Sequence, residues 1–299
     1  MDQLALIFVC LLGGILLQRV PGIPNDPHKG INFFIIYVSL PAVTLLYIPY
    51  FQLNLIALIP ITVSFIIFGF AWLFFKILQK RYGWSNALTA CLTLTCGLGN
   101  TSFLGFPLIE GYFGKEGLPT AVIIDQGTFL VLASAGLAVA IKAAHGKVKS
   151  IVIIKKIVLF PQFIAFIFAL FVLGKGFGDV AESVFAKLAS TLVPLALVSV
   201  GLQIQFSFKE IKRRFIAIGL TYKLVLAPII IFLFFRFVIN DTSSLSARVS
   251  IMEAAMAPMI TASILASQYK LEAPLAQMIT SIGIMLSFGT TFLWWLILG

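Results

Sequence analysis

Ten stretches of predominantly apolar sequence, most of them about as long as a helix needs to cross a bilayer, fill this chain nearly end to end. No other feature constrains the fold as tightly. A helix takes about 20 residues to traverse the hydrocarbon core. Inside that core each backbone N–H and C=O must find its partner within the protein, which selects helices over open strands. The runs fall at about 3–18, 30–49, 54–75, 86–109, 118–141, 152–174, 183–204, 215–239, 249–268 and 275–298. The predicted fold is therefore an all-α polytopic membrane protein with ten transmembrane helices. Only 11% of the 299 residues are charged and 60% are hydrophobic, whereas a soluble domain carries about 25% charged residues. Polar surface of that extent cannot coat a soluble globule. The opening residues, Met1 to Leu6, lack a basic segment and a small-residue cleavage site, so the first run reads as a retained span.

The net charge is +10, but the basic residues sit in short connections between apolar runs, where they report topology rather than a nucleic-acid partner. Connections leading from odd to even spans hold 15 Lys and Arg, among them Lys76, Lys80, Arg81, Lys147, Lys149, Lys209, Lys212, Arg213 and Arg214. The opposite side holds 5, and Lys223 alone lies inside a span. The bias places the basic side in the cytoplasm and both termini outside, in the cell (inner or plasma) membrane.

Five spans per half is an odd number, so halves that share a fold must be inverted in the membrane, a recurrent transporter plan. Pro41 in span 2 and Pro194 in span 7 stand 153 residues apart, and Pro107 in span 4 and Pro258 in span 9 stand 151 apart. This predicts a five-plus-five inverted repeat, residues 1–145 and 146–299, joined by the basic segment 142–156, with broken helices 4 and 9 crossing near the bilayer centre. A proline inside a helix removes one backbone hydrogen bond and clashes with the preceding turn; a pair of such breaks in corresponding spans points to a binding site.

Around the first break, Thr95 to Pro107 carries Gly97, Gly99 and Gly105 together with Asn100, Thr101 and Ser102. That is a poor continuous helix and a good unwound crossover, and the half-helix beyond it would aim backbone N–H groups at an anion. Around the second break, Met256 and Met259 flank Pro258 and offer a soft apolar wall. Ionisable residues within spans default to functional roles. Asp125 beside Gln126, Glu253 and Lys223 are the candidates for ion coupling, with a static ion pair as the bland alternative. Glu110, Lys115 and Glu116 read as loop residues. Cys10, Cys91 and Cys96 read as apolar fillers, and His28 and His145 as loop residues, so neither a disulfide, a zinc site nor a catalytic triad is expected. No nucleotide-binding motif occurs.

The run Gly99 to Leu108, followed by Tyr112-Phe113-Gly114, resembles the auxin efflux carrier family, as do Ala257 to Ala266 with Tyr269, and Asp125-Gln126. The resemblance spans the whole chain in length and span count, though the large loop of the plant carriers is reduced to 142–156, as in the compact bacterial branch. It implies a scaffold of spans 1, 2, 6 and 7, a transport domain of spans 3–5 and 8–10, elevator-type motion and a homodimer through the scaffold. It places Asn100, Pro107 and Pro258 on the family's crossover positions and Gln126 on its polar position in span 5, and these, with Thr101, Ser102 and Met259 from the residue reading, make the expected substrate site. Glutamate before the second break is similar to the bile acid:sodium symporters, where an acid there helps hold sodium.

The reading is thus a secondary transporter of small organic anions such as carboxylates, not an enzyme. It needs no cofactor beyond a coupling proton or a sodium ion, the latter held by Glu253 and Thr101. A sodium-coupled anion symporter is the alternative within transport. A non-transporting membrane receptor or scaffold is the alternative of another class.

Overall fold

A computed structural model describes residues 2–22, 26–51, 58–144, 150–204 and 213–299. Four lysines counted above, Lys147, Lys149, Lys209 and Lys212, lie outside them, as does His145. Thirteen helices account for the described elements: α1 Asp2–Leu17, α2 His28–Tyr50, α3 Ile59–Tyr82, α4 Asn86–Gly97, α5 101–113, α6 Lys115–Ala143, α7 Ser150–Val158, α8 Pro161–Phe171, α9 Asp179–Gln203, α10 Arg213–Ile239, α11 Leu245–Ala254, α12 Ile260–Gln268 and α13 Ala273–Leu298. Among the described residues, β pairing is confined to one isolated antiparallel bridge, Gly99 with Pro258.

Six of these helices, α2, α3, α6, α9, α10 and α13, are single elements long and apolar enough to cross a membrane. The chain is a multi-pass membrane protein. Of the remaining expected spans, the first is α1 and only the sixth departs from the sequence reading. The fourth and ninth divide into α4/α5 and α11/α12, as their glycines and proline suggest. The sixth, expected continuous over 152–174, divides as well: α7 ends at Val158 and α8 starts with Pro161 at its first position, where the missing N–H costs nothing.

Prolines also shape helices that do not break. Five-residue π turns at Ile35–Ser39, Thr101–Gly105 and Tyr222–Leu226 each end two residues before a proline, Pro41, Pro107 and Pro228. A proline ring collides with the carbonyl four residues back, which in all three cases lies within the π turn. The wider turn relieves that collision without ending the helix.

The chain divides into two compact units. The first comprises residues 1–58, 102–122 and 156–204. Its main contact is between α1 and α9, where Gly14 meets Gly201. A Cβ on Gly14 would lie 2.2 Å from the Val198 carbonyl oxygen, and one on Gly201 2.4 Å from that of Leu11. In lipid, where hydrophobicity does not drive helices together, such small-residue contacts let backbones approach and supply the packing energy. Gln18 Nε2 then donates to the carbonyls of Gly201 (2.7 Å) and Ile204 (3.0 Å), satisfying the end of α9.

The second unit comprises 59–101, 123–155 and 205–299. Its core runs through Phe68, Phe75, Leu92, Leu94, Ile231, Ile251 and Ile279. Tyr222 is buried there, its ring 5.4 Å from those of Phe74 and Phe75, and its hydroxyl donates to the Ile67 carbonyl at 2.6 Å. Gly127 lets α6 lie against α3, since a Cβ there would stand 2.4 Å from the Ile61 carbonyl oxygen.

Candidate functional site

Helices α4 and α11 are built alike. Ser85 accepts from the Leu88 N–H and Ser244 from the Ala247 N–H, so each helix opens on a serine cap. Ser85 precedes Gly99 by the same 14 residues that separate Ser244 from Pro258. Past Gly97 and Ala254 the chain leaves the helix, and the two released segments pair antiparallel. The Asn100 N–H donates to the Ala257 carbonyl (2.8 Å) and the Met259 N–H to the Leu98 carbonyl (3.0 Å). Each break thus satisfies backbone groups that the other exposes. Gly99 and Pro258 occupy the non-hydrogen-bonded pair between those two bonds, where proline's missing N–H is not needed. The seat for the Pro258 ring comes from α13: a Cβ on Gly283 would fall 2.4 Å from Pro258 Cδ.

Polar groups converge on this bridge within the second unit. Thr101 Oγ1 donates to Asp125 Oδ1 at 2.5 Å. Lys223, fully buried on α10, donates from Nζ to the Ala254 carbonyl at 2.9 Å. Neither carboxylate oxygen of Glu253, neither polar atom of the Gln126 amide, nor Nδ2 of Asn100 has a hydrogen-bond partner, although all three side chains are at most 2% exposed. Buried polar groups are ordinarily paired, which sets these three side chains apart as candidates for binding. A cavity of about 10 Å³ lies among Ser64, Gly99, Thr101, Thr128, Lys223 and Glu253, room for about one water.

The structure gathers Asn100, Thr101, Asp125, Lys223, Glu253, Pro258 and Met259 around one backbone crossing and buries Gln126 in the same unit. Two further sequence candidates belong to the first unit. Ser102 is buried in the π turn of α5, and Pro107 lies on α5 in the first unit. The break is eight residues before Pro107, at Leu98 to Asn100. Glycine makes it, and the π turn lets Pro107 remain inside a helix.

Two features escaped the sequence reading. Ser64 and Thr128 join hydroxyls at 2.7 Å at the edge of the site, yet neither carries a charge or belongs to a motif that would single it out. In the first unit, a cavity of about 320 Å³ is lined by Tyr47, Glu110, Lys115 and Ser190 among Leu6, Phe106, Val193 and Pro194. Glu110 and Lys115, expected in a loop, lie on α5 and at the start of α6.

Comparison with known proteins bears on what this arrangement serves. A family model described as membrane transport protein matches residues 1–295. The chain belongs to that family, the auxin efflux carrier family. Among its relatives, an uncharacterized transporter of Methanothermobacter thermautotrophicus is 28% identical over 98% of this chain and 96% of its own. An uncharacterized transporter of Methanocaldococcus jannaschii is 29% identical over 68% of each chain. For a membrane transport protein of this family, a paired helix break lined with unpartnered polar side chains is where solute or ion recognition is sought.

Proposed function

We propose that this membrane transporter is a secondary carrier of small organic anions such as carboxylates. The observation that carries the reading is the bridge of α4/α5 and α11/α12, with Asn100 Nδ2 buried beside it and free to donate. A carboxylate accepts such a donor, Thr101 offers a further polar group beside it, and Gln126 is buried in the same unit. Asp125 or Glu253 carries the coupling charge, and Lys223 balances it.

The equal spacing of serine cap and bridge residue in α4 and α11 supports a ten-helix inverted repeat. Alternating access follows if the second unit moves as the transport domain against a scaffold of spans 1, 2, 6 and 7, through which two copies would pair. The guanidinium groups of Arg81 and Arg214, 5.8 and 5.1 Å from the centroid of the Tyr82 ring, bring the basic ends of α3 and α10 to one side. That fits a cytoplasmic side rich in Lys and Arg, with both termini outside.

Uptake of labelled carboxylates, malate and indole-3-acetate first, into proteoliposomes under imposed pH or sodium gradients tests the reading. Gradient-stimulated uptake, lost in Asn100→Ala, is the expected result. Absence of uptake across a panel of carboxylates under every gradient would sink it.

A further inference from the structure

We propose that the end of α11 is a cation site whose occupant is the ammonium of Lys223, so that the carrier takes no alkali-metal ion there. The consequence for transport rests on the carrier reading above; the site itself rests on geometry alone.

The last four carbonyls of a helix have no partner within it. In α11 these belong to Ile251, Met252, Glu253 and Ala254. The Ala255 N–H reaches the carbonyls of Ile251 and Met252, and the Met256 N–H reaches that of Glu253. The Ala254 carbonyl receives the Lys223 ammonium instead. The C-terminal end of a helix carries partial negative charge and favours a cation. In lipid-buried protein that preference is not screened by water.

The surroundings are shaped for this group. Lys223 sits in the π turn of α10, Tyr222–Leu226, which re-aims side chains away from the regular helical rows. Gly99 leaves the space the ammonium needs, because a Cβ there would lie 3.1 Å from Nζ. Glu253, its carboxylate oxygens without hydrogen-bond partners, lines the same cavity and interacts electrostatically with both Lys223 and Asp125. The ammonium therefore offsets a helix end and a carboxylate together, the work a free cation would otherwise do. A second cation beside it would meet like charge in a low dielectric, in a cavity with room for about one water. Remove the ammonium, and the carbonyl and carboxylate remain as a site for sodium or a small ammonium ion.

The test is thermal unfolding of the purified full-length protein in detergent, in sodium, potassium, methylammonium and choline chlorides at equal ionic strength. The wild type is expected to melt at one temperature in all four salts. Lys223→Ala is expected to melt several degrees lower in choline and to recover saturably as sodium or methylammonium replaces it. A wild type stabilised saturably by sodium over choline overturns the proposal. So does a Lys223→Ala protein that melts like the wild type, or one that melts lower and responds to none of the cations. If Lys223→Ala does not fold, Lys223→Gln replaces it, and the wild-type comparison decides without either variant. In proteoliposomes, substrate accumulation is expected to be equal in sodium and choline. Loss of uptake in both would overturn the carrier reading and leave the melting result standing, so the two failures separate.

Discussion

Gly283 shows how much of this site is set by single residues far from it in sequence. The Pro258 ring lies where a side chain on Gly283 would be, so the bridge forms only because α13 offers no Cβ at that level. Gly283→Leu is expected to destabilise the protein by about 1–3 kcal/mol through overpacking, read as a lower melting temperature in detergent, while a leucine at Gly289, whose Cβ would meet nothing within 4 Å, should be near neutral. Thr101 is a second case. Its hydroxyl donates to Asp125 in a buried setting, and Thr101→Val keeps the shape while removing the donor. A loss of about 1–3 kcal/mol is expected, with Thr101→Ser retaining most of it; equal melting temperatures for Val and Ser variants would show the bond to be idle.

At the scale of elements, close backbone approach at single glycines decides which helices can lie together. Gly14 and Gly201 let α1 and α9 meet, so leucine at either should push them apart and lower the melting temperature. Leucine at Gly13, where a Cβ would meet nothing within 4 Å, serves as the control. The source of the α4/α5 break is a separate question at this scale. Since the chain leaves the helix at Leu98 and Gly99, with Pro107 accommodated by a π turn, Pro107→Ala is expected to leave the melting temperature within a few degrees of wild type. Gly99→Val should lower it more, because the added side chain meets Lys223 Nζ. The reverse order would return the break to the proline.

For the whole molecule, the basic bias and the family membership make a labelling experiment direct. Cysteines introduced after residue 299 and at Lys80, in a background lacking Cys10, Cys91 and Cys96, should separate in intact cells. A membrane-impermeant maleimide is expected to label the first and not the second, and the opposite result would invert the topology. The family reading rests on a match over residues 1–295, so it concerns the chain end to end and not one motif.

Apolar runs of bilayer length determined, from sequence alone, that the chain is helical and multi-pass, because a continuous run of about 20 apolar residues spans lipid with its backbone satisfied only as a helix. The glycines of Thr95 to Pro107, with Pro107 and Pro258, likewise marked the two broken spans, though they did not place the first break at Gly99, and Asp125, Lys223 and Glu253 stood out as charges in apolar surroundings. The partner of each group was decided only by the fold. That Gly99 rather than Pro107 faces Pro258, that Lys223 meets the Ala254 carbonyl, and that Ser64 joins Thr128 depend on which helices lie together. Glu110 and Lys115 line a cavity for the same reason. Hydropathy records whether a residue prefers lipid to water; it does not record which neighbour it meets, since that depends on close packing of residues far apart in the chain.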